Sequence, residues 1–156
     1  MGPVTERLAA AVAGHEQVCL ASAPLIYFIE DDPRRAGPVK GLLRAAAAGA
    51  TQLIASVLTE AEMLVAPMRR DRDDVVRSIR ELFASSGGPQ LREVTRPIGW
   101  RAAGLRAELG LRLPDAIVVA TAIEAGCTAI VGNDASFKRI EEIEYVHLDD
   151  VVGPDR

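Results

Sequence analysis

The chain has 156 residues, enough to bury the core of one domain and short of what two ordinary domains need. Its 22 acids and 18 bases leave a net charge of -4, which excludes a protein that grips nucleic acid by overall charge but leaves room for a local acidic site. Hydrophobic residues make up 49% of the chain, yet only six residues are aromatic, so Leu, Ile, Val and Ala must build the core.

Residues 4–13 fit either a short helix or a frayed tail. A short apolar run with Val and Cys predicts a buried strand at 18–22. Pro24 suits the first turn of a helix that runs to about Glu30, where Asp31-Asp32-Pro33 stops it. Pro38 opens a second helix to about Gly49, with Val39, Leu42, Leu43, Ala46 and Ala47 at helical spacing. A strand at 52–56 precedes a helix from about Leu58 to Pro67 or slightly beyond. Asp71 or Asp73 caps the next helix, whose stripe is Val75, Val76, Ile79, Leu82 and Phe83. Ser85 to Pro89 is a loop. A strand at 91–95 leads to a helix from Pro97 to about Leu109, ended by Gly110. Pro114 begins a helix over Asp115 to Ala125, closed by Gly126. A strand at 128–132, a helical turn at 133–139 and a strand at 145–148 follow, and the tail from Asp149 is expected to fray.

Five short strands alternating with helices imply an α/β domain whose mainly parallel sheet is covered on both faces. The expected division is an N-terminal extension at 1–17, a domain at 18–150 and a tail at 151–156. Cys19 and Cys127 lie in apolar runs, so buried free thiols are favoured over a disulfide or a metal pair. That usage suits the reducing cytoplasm. The sequence has no uncharged apolar stretch of about 18 residues, and its N-terminus makes a poor signal peptide, so no membrane contact is expected. Met63, Met68 and Trp100 read as packing residues.

Functional loops of a parallel sheet gather at the C-terminal ends of its strands. Ala21 ends the first strand and Asp134 follows the fourth. Glu62 lies in the helix after the second strand, and Asp115 in the first turn of a later one. Each acid alone has a structural reading: a charge at a helix dipole for Asp115, a solvated side chain for Glu62, an Asx turn or cap for Asp134. Together they can form an oxygen-rich site for Mg2+. One or two such ions can activate water and stabilise charge on a phosphodiester. Arg112, Arg69 and Arg70 are candidates for holding a nucleic-acid backbone, against a reading as ordinary surface. No phosphate-binding G-x-x-x-x-G-K-[ST] loop is present.

The segments L-A-S-A-P-L-I-Y-F-I-E, V-L-T-E-A-E-M-L, L-P-D-A-I-V-V-A-T-A and V-G-N-D-A-S-F, in this order, resemble the four motifs of PIN-domain proteins, especially the VapC-type toxin ribonucleases. The resemblance runs from about residue 18 to 150. It implies an α/β/α sandwich and a Mg2+- or Mn2+-dependent endoribonuclease. A homodimer restrained by a cognate antitoxin is also implied, with structured RNA such as tRNA or rRNA as target. Glu62, Asp115 and Asp134 match the family's acids, and Ser22 and Asn133 match motif positions beside them. The chain departs from the pattern at Ala21, where the family has aspartate, at Ala23, often Ser or Asn, and at Gly132, where Thr or Ser is usual. Loss of the first aspartate should cripple catalysis and weaken the metal. The three surviving acids favour an introduced substitution over natural decay. A PIN fold that binds RNA or protein without catalysis is the alternative. An apolar groove for an antitoxin helix is sought between residues 25–43 and the helix around 58–68, although those residues also suit the core.

Overall fold

The computed structural model describes residues 3–154. Its five strands are β1 (Gln17–Leu20), β2 (Gln52–Ser56), β3 (Gln90–Arg92), β4 (Ala129–Gly132) and β5 (Glu144–His147). They form one sheet in the order β3-β2-β1-β4-β5, and every pairing is parallel. Alternation along the strands divides the core in two. Cys19, Ile54 and Ile130 face one side, while Val18, Leu20, Leu53, Ala129 and Val131 face the other. Both sides are apolar because helices cover both, which makes the three-layer α/β/α sandwich.

The first side is covered by α6 (Arg96–Leu109) and α7 (Leu113–Glu124), through Ile98, Ala102, Leu105, Ala116, Val119 and Ala120. The second side is packed by α1 (Arg7–Ala11), α2 (Ser22–Ile29), α3 (Ala36–Ala47), α4 (Val57–Arg69), α5 (Asp73–Ala84) and α8 (Leu148–Val152). Local chemistry sets the helix ends. The Ser56 hydroxyl accepts the Leu58 N–H at 3.1 Å and starts α4. Gly110 ends α6 at φ 68°, a left-handed conformation that costs glycine nothing.

The chain builds outward from β1 to β2 and β3, then crosses over to β4 on the other side of β1. That reversal opens a crevice at the C-terminal edge between β1 and β4. The Ala21 N–H donates to the Val131 carbonyl at 2.9 Å, so the two strand ends flanking the crevice are tied together.

Four expectations change. The N-terminal segment is a 3-10 turn (Val4–Glu6) followed by α1, and it is part of the core: Leu8 is fully buried and Val12 nearly so. The His15 ring extends that attachment, meeting Thr128 Oγ1 at 2.7 Å and Glu144 Oε2 at 2.5 Å. The tail does not fray at Asp149, because Leu148 and Val152 are buried and hold α8 on the same core. Neither aspartate caps α5: Asp71, at φ 52°, is the left-handed residue that closes α4, with Arg72 N–H bonded to the Pro67 carbonyl at 2.9 Å, and Asp73 already lies inside the helix. Trp100 and Met68 are not packing residues, being 70% and 57% exposed, whereas Met63 is buried. Helical spacing placed them correctly on helices but could not say which face a neighbour covers.

Leu8 touches a core shared with α3 and α8, so Leu8→Ala should lower unfolding free energy by about 2–5 kcal/mol in urea titration. A loss under about 0.5 kcal/mol would show that the segment before β1 adds nothing to the domain.

Candidate functional site

Ala21, Glu62, Asp115 and Asp134 all line one cavity of about 410 Å³ at the C-terminal edge of the sheet. Ser22, Ala23, Arg112, Val118, Asn133, Ala135 and Phe137 complete its wall. Each acid arrives by a different route. Glu62 projects from the second turn of α4, next to the buried Thr59 and Met63. Asp115 stands in the first turn of α7, just after Pro114 fixes the helix start. Asp134 follows β4 and caps the 3-10 turn Ala135–Arg139, its Oδ1 accepting the Ser136 N–H at 2.9 Å. The cap reading and the site reading of Asp134 therefore hold for the same side chain.

Ala21 occupies the N-cap of α2 in extended conformation, φ -76° and ψ 174°, and provides no side-chain cap. A helix start leaves unpaired N–H groups, and a methyl group cannot accept from them. Arg69 and Arg70 are not brought to the cavity: both are exposed at the far end of α4, and Arg70 lines a separate hollow with Ile29, Glu30 and Val75. Arg112 is. Its Nε lies 3.4 Å from Asp115 Oδ2, and it is the cavity's only basic lining residue among the described residues.

The acids are in different electrostatic states. Burial, then the negative charge of Asp115, pushes Glu62 above the usual carboxylate range, and Arg112 opposes the shift. Burial also raises Asp115; Arg112 pulls it back and Asp134 pushes it further. Asp134 is lowered, chiefly by the Ser136 N–H. The cluster is thus a set of mutually repelling carboxylates with one guanidinium as counter-charge.

Asn133 lines the cavity, but both ends of its amide are engaged elsewhere. Its Nδ2 donates to Tyr27 Oη at 3.1 Å and its Oδ1 accepts the Asp149 N–H at 3.0 Å. Asp149 in turn receives a two-pronged bond from Arg35, at 2.7 and 3.1 Å, and the Arg35 guanidinium lies 4.9 Å above the Tyr27 ring. Asn133 is therefore a clamp joining the loop after β4 to α2 and α8. Sequence reading missed Tyr27, Arg35, Asp149 and Tyr145 as supports of this loop, because their partners are remote along the chain.

A family model for the PIN domain matches residues 19–143. Three solved structures are similar in fold. VapBC2 from Rickettsia felis, crystallised bound to a DNA fragment from their promoter, has a TM-score of 0.69 and 18% identity, covering 84% of this chain and 98% of that one. A toxin-antitoxin complex from Klebsiella pneumoniae has 0.61 and 23%, covering 81% and 94%. VapC20 from Mycobacterium tuberculosis, a Sarcin-Ricin loop cleaving toxin, has 0.65 and 15%, covering 81% and 97%. No curated protein sequence matches the chain.

A carboxylate with a raised folded pKa keeps its proton longer in the native state, so its contribution to stability falls as pH rises above the unfolded value. Glu62→Gln removes that penalty. Without added metal, its melting temperature should exceed that of the parent chain by ~1–4 °C near pH 7, and the gap should close towards about pH 4. Differential scanning calorimetry across that range checks it; a variant less stable at neutral pH would contradict the repulsion.

Proposed function

Because the chain belongs to the PIN-domain family, we propose that it is the toxin of a toxin-antitoxin pair, a metal-dependent endoribonuclease silenced at position 21. The observation that carries this reading is the convergence of Glu62, Asp115, Asp134 and residue 21 on one crevice, from four separate segments. Two of the similar structures are themselves toxin-antitoxin assemblies, and a third is described as a cleaving toxin, which supports the same reading.

The donor chemistry fits Mg2+ or Mn2+, which take oxygen ligands and retain waters. The raised Glu62 and Asp115 fit as well, since a divalent cation would offset the burial, and after it the repulsion, that raises them. Glu62, Asp115 and Asp134 would hold the ion. Among the described residues, however, no group of three His, Cys, Asp or Glu side chains is arranged to hold one ion. An aspartate at 21 would add a carboxylate where the wall is now methyl, and it could also accept from the free N–H groups of α2. A bound ion supplies an activated water and stabilises charge on the phosphodiester. The chain's own residues do the positioning: Arg112 contacts a backbone phosphate, Ser22 presents its hydroxyl at the rim, and Val118 and Phe137 form an apolar wall.

The partner reading changes in detail. An apolar groove of about 550 Å³ runs between Phe28 and Ile29 of α2, Leu43 and Ala47 of α3, and Leu82 of α5. Its second wall is α5; the α4 segment around 58–68 lines a separate hollow with Ile29 and Glu30 through Ala66 and Pro67. It suits one apolar face of an antitoxin helix. A homodimer, a cytoplasmic setting and a structured RNA target complete the proposal. No helix among the described residues is long and apolar enough to cross a membrane. The second reading, a PIN fold that binds without cleaving, is favoured by Ala21 itself and by the incomplete ligand set.

The deciding comparison is Mg2+-dependent cleavage of total RNA by this chain and by its Ala21→Asp variant, both free of antitoxin. Cleavage should appear with the aspartate and fall by at least about 10–100-fold with the alanine. A silent Ala21→Asp chain would sink the nuclease reading, and equal cleavage by both would sink the role of position 21. For Arg112, Arg112→Gln should weaken RNA binding and lower the slope of log affinity against log salt by about one; an unchanged slope would return Arg112 to ordinary surface.

A further inference from the structure

Gly132 is the last residue of β4, two positions before Asp134, and the three atoms nearest its missing side chain belong to two aromatic residues. A Cβ built there would lie 3.1 Å from Tyr145 Oη, 3.2 Å from Tyr145 Cε1 and 3.2 Å from Phe137 Cδ2. Those contacts are tighter than ordinary van der Waals packing, so the tyrosine fills the space that a side chain at 132 would need. Gly132 has no unusual backbone requirement, since it is not among the glycines at positive φ. The reason for glycine here is the ring.

Tyr145 comes from β5, two register positions before His147, the partner of Gly132, and so on the same face of the sheet. Its ring packs edge-on against Phe137, with centroids 5.4 Å apart and planes at 70°. That contact holds the hydroxyl over the turn after β4. The Tyr145 hydroxyl accepts the Asp134 N–H at 3.1 Å and donates to the Asp134 carbonyl at 2.8 Å. One hydroxyl thus grips both backbone polar groups of one residue. The Asp134 carboxylate is meanwhile held through Oδ1 by Ser136. With the main chain fixed by Tyr145 and one oxygen fixed by Ser136, the direction of the carboxylate is set from both ends.

Resting on the reading of the crevice as a metal site, we propose that Tyr145 is a positioning residue that occupies the side-chain space of position 132 and aims Asp134 into the cavity. Gly132 and Tyr145 form one unit: the glycine admits the ring, and the ring's hydroxyl braces the acid. The ring itself stays out of the cavity wall. It acts only through Asp134.

Tyr145→Phe deletes the Oη atom and leaves the ring against Phe137. Two measurements on the full chain test it. Amide hydrogen exchange at Asp134, read by NMR, should speed up about tenfold or more while the melting temperature falls by only about 2–4 °C. Mn2+ affinity, read by calorimetry in the Ala21→Asp background, should fall about 10–100-fold. Gly132→Ala pushes on the same ring, so its affinity loss and that of Tyr145→Phe should combine to less than their product. Unchanged exchange at Asp134 overturns the brace. Faster exchange with unchanged Mn2+ affinity overturns the positioning role, and fully multiplicative losses overturn the pairing with Gly132. If the Ala21→Asp chain binds no Mn2+, the metal reading of the crevice fails instead, and the exchange rate alone decides for or against the brace.

Discussion

Carboxylates gathered at one crevice are opposed by partial burial first and by mutual repulsion second, and this fold gathers them there anyway. Glu62, Asp115 and Asp134 face one crevice at the edge where the parallel sheet reverses its strand order. Each is fixed by structure that does not depend on the others: α4 started by Ser56, α7 started at Pro114, and a cap bond to Ser136. The core beneath them is apolar on both faces of the sheet, which keeps the helices from drifting apart to relieve the repulsion. Such stored repulsion is a common mark of sites that await a counter-charge. Arg112 supplies part of it in the chain as it stands, but from an exposed side chain, where ion pairs are weak.

Much of this was legible in the sequence. Strand-length apolar runs separated by amphipathic stretches predicted a parallel sheet with two covered faces; four of the five strands begin and end within two residues of the predicted bounds, and β3 ends three residues early. The convergence of positions 21, 62, 115 and 134 followed from the rule that such sheets collect their loops at one edge. What the sequence hid was dependence on remote partners. Nothing local shows that Leu8 shares a core with Val152, that Asn133 is shared between Tyr27 and Asp149, or that Trp100 stays largely exposed. Asp71 shows a different limit. Aspartate serves either end of a helix, and only the backbone angle says which.

The supports of the crevice come from the two ends of the chain more than from its middle. Asn133 is bonded to α8 through Asp149, Asp149 is held by Arg35, and Arg34 of the same loop reaches both Asp149 and the Gly153 carbonyl. The last helix is thus wired to the loop that carries Asp134. A change in α8 reaches Asn133, the residue next to Asp134, through one hydrogen bond.

The pairing of α1 with α8 also has a consequence for the order in which the molecule is made. Leu8 is made 144 residues before Val152, yet they share one core. Tyr145 is made 11 residues after Asp134. A nascent chain therefore carries Glu62 and Asp115 before it owns Tyr145 and α8, and the crevice takes its final form only once residues 145–152 have been added.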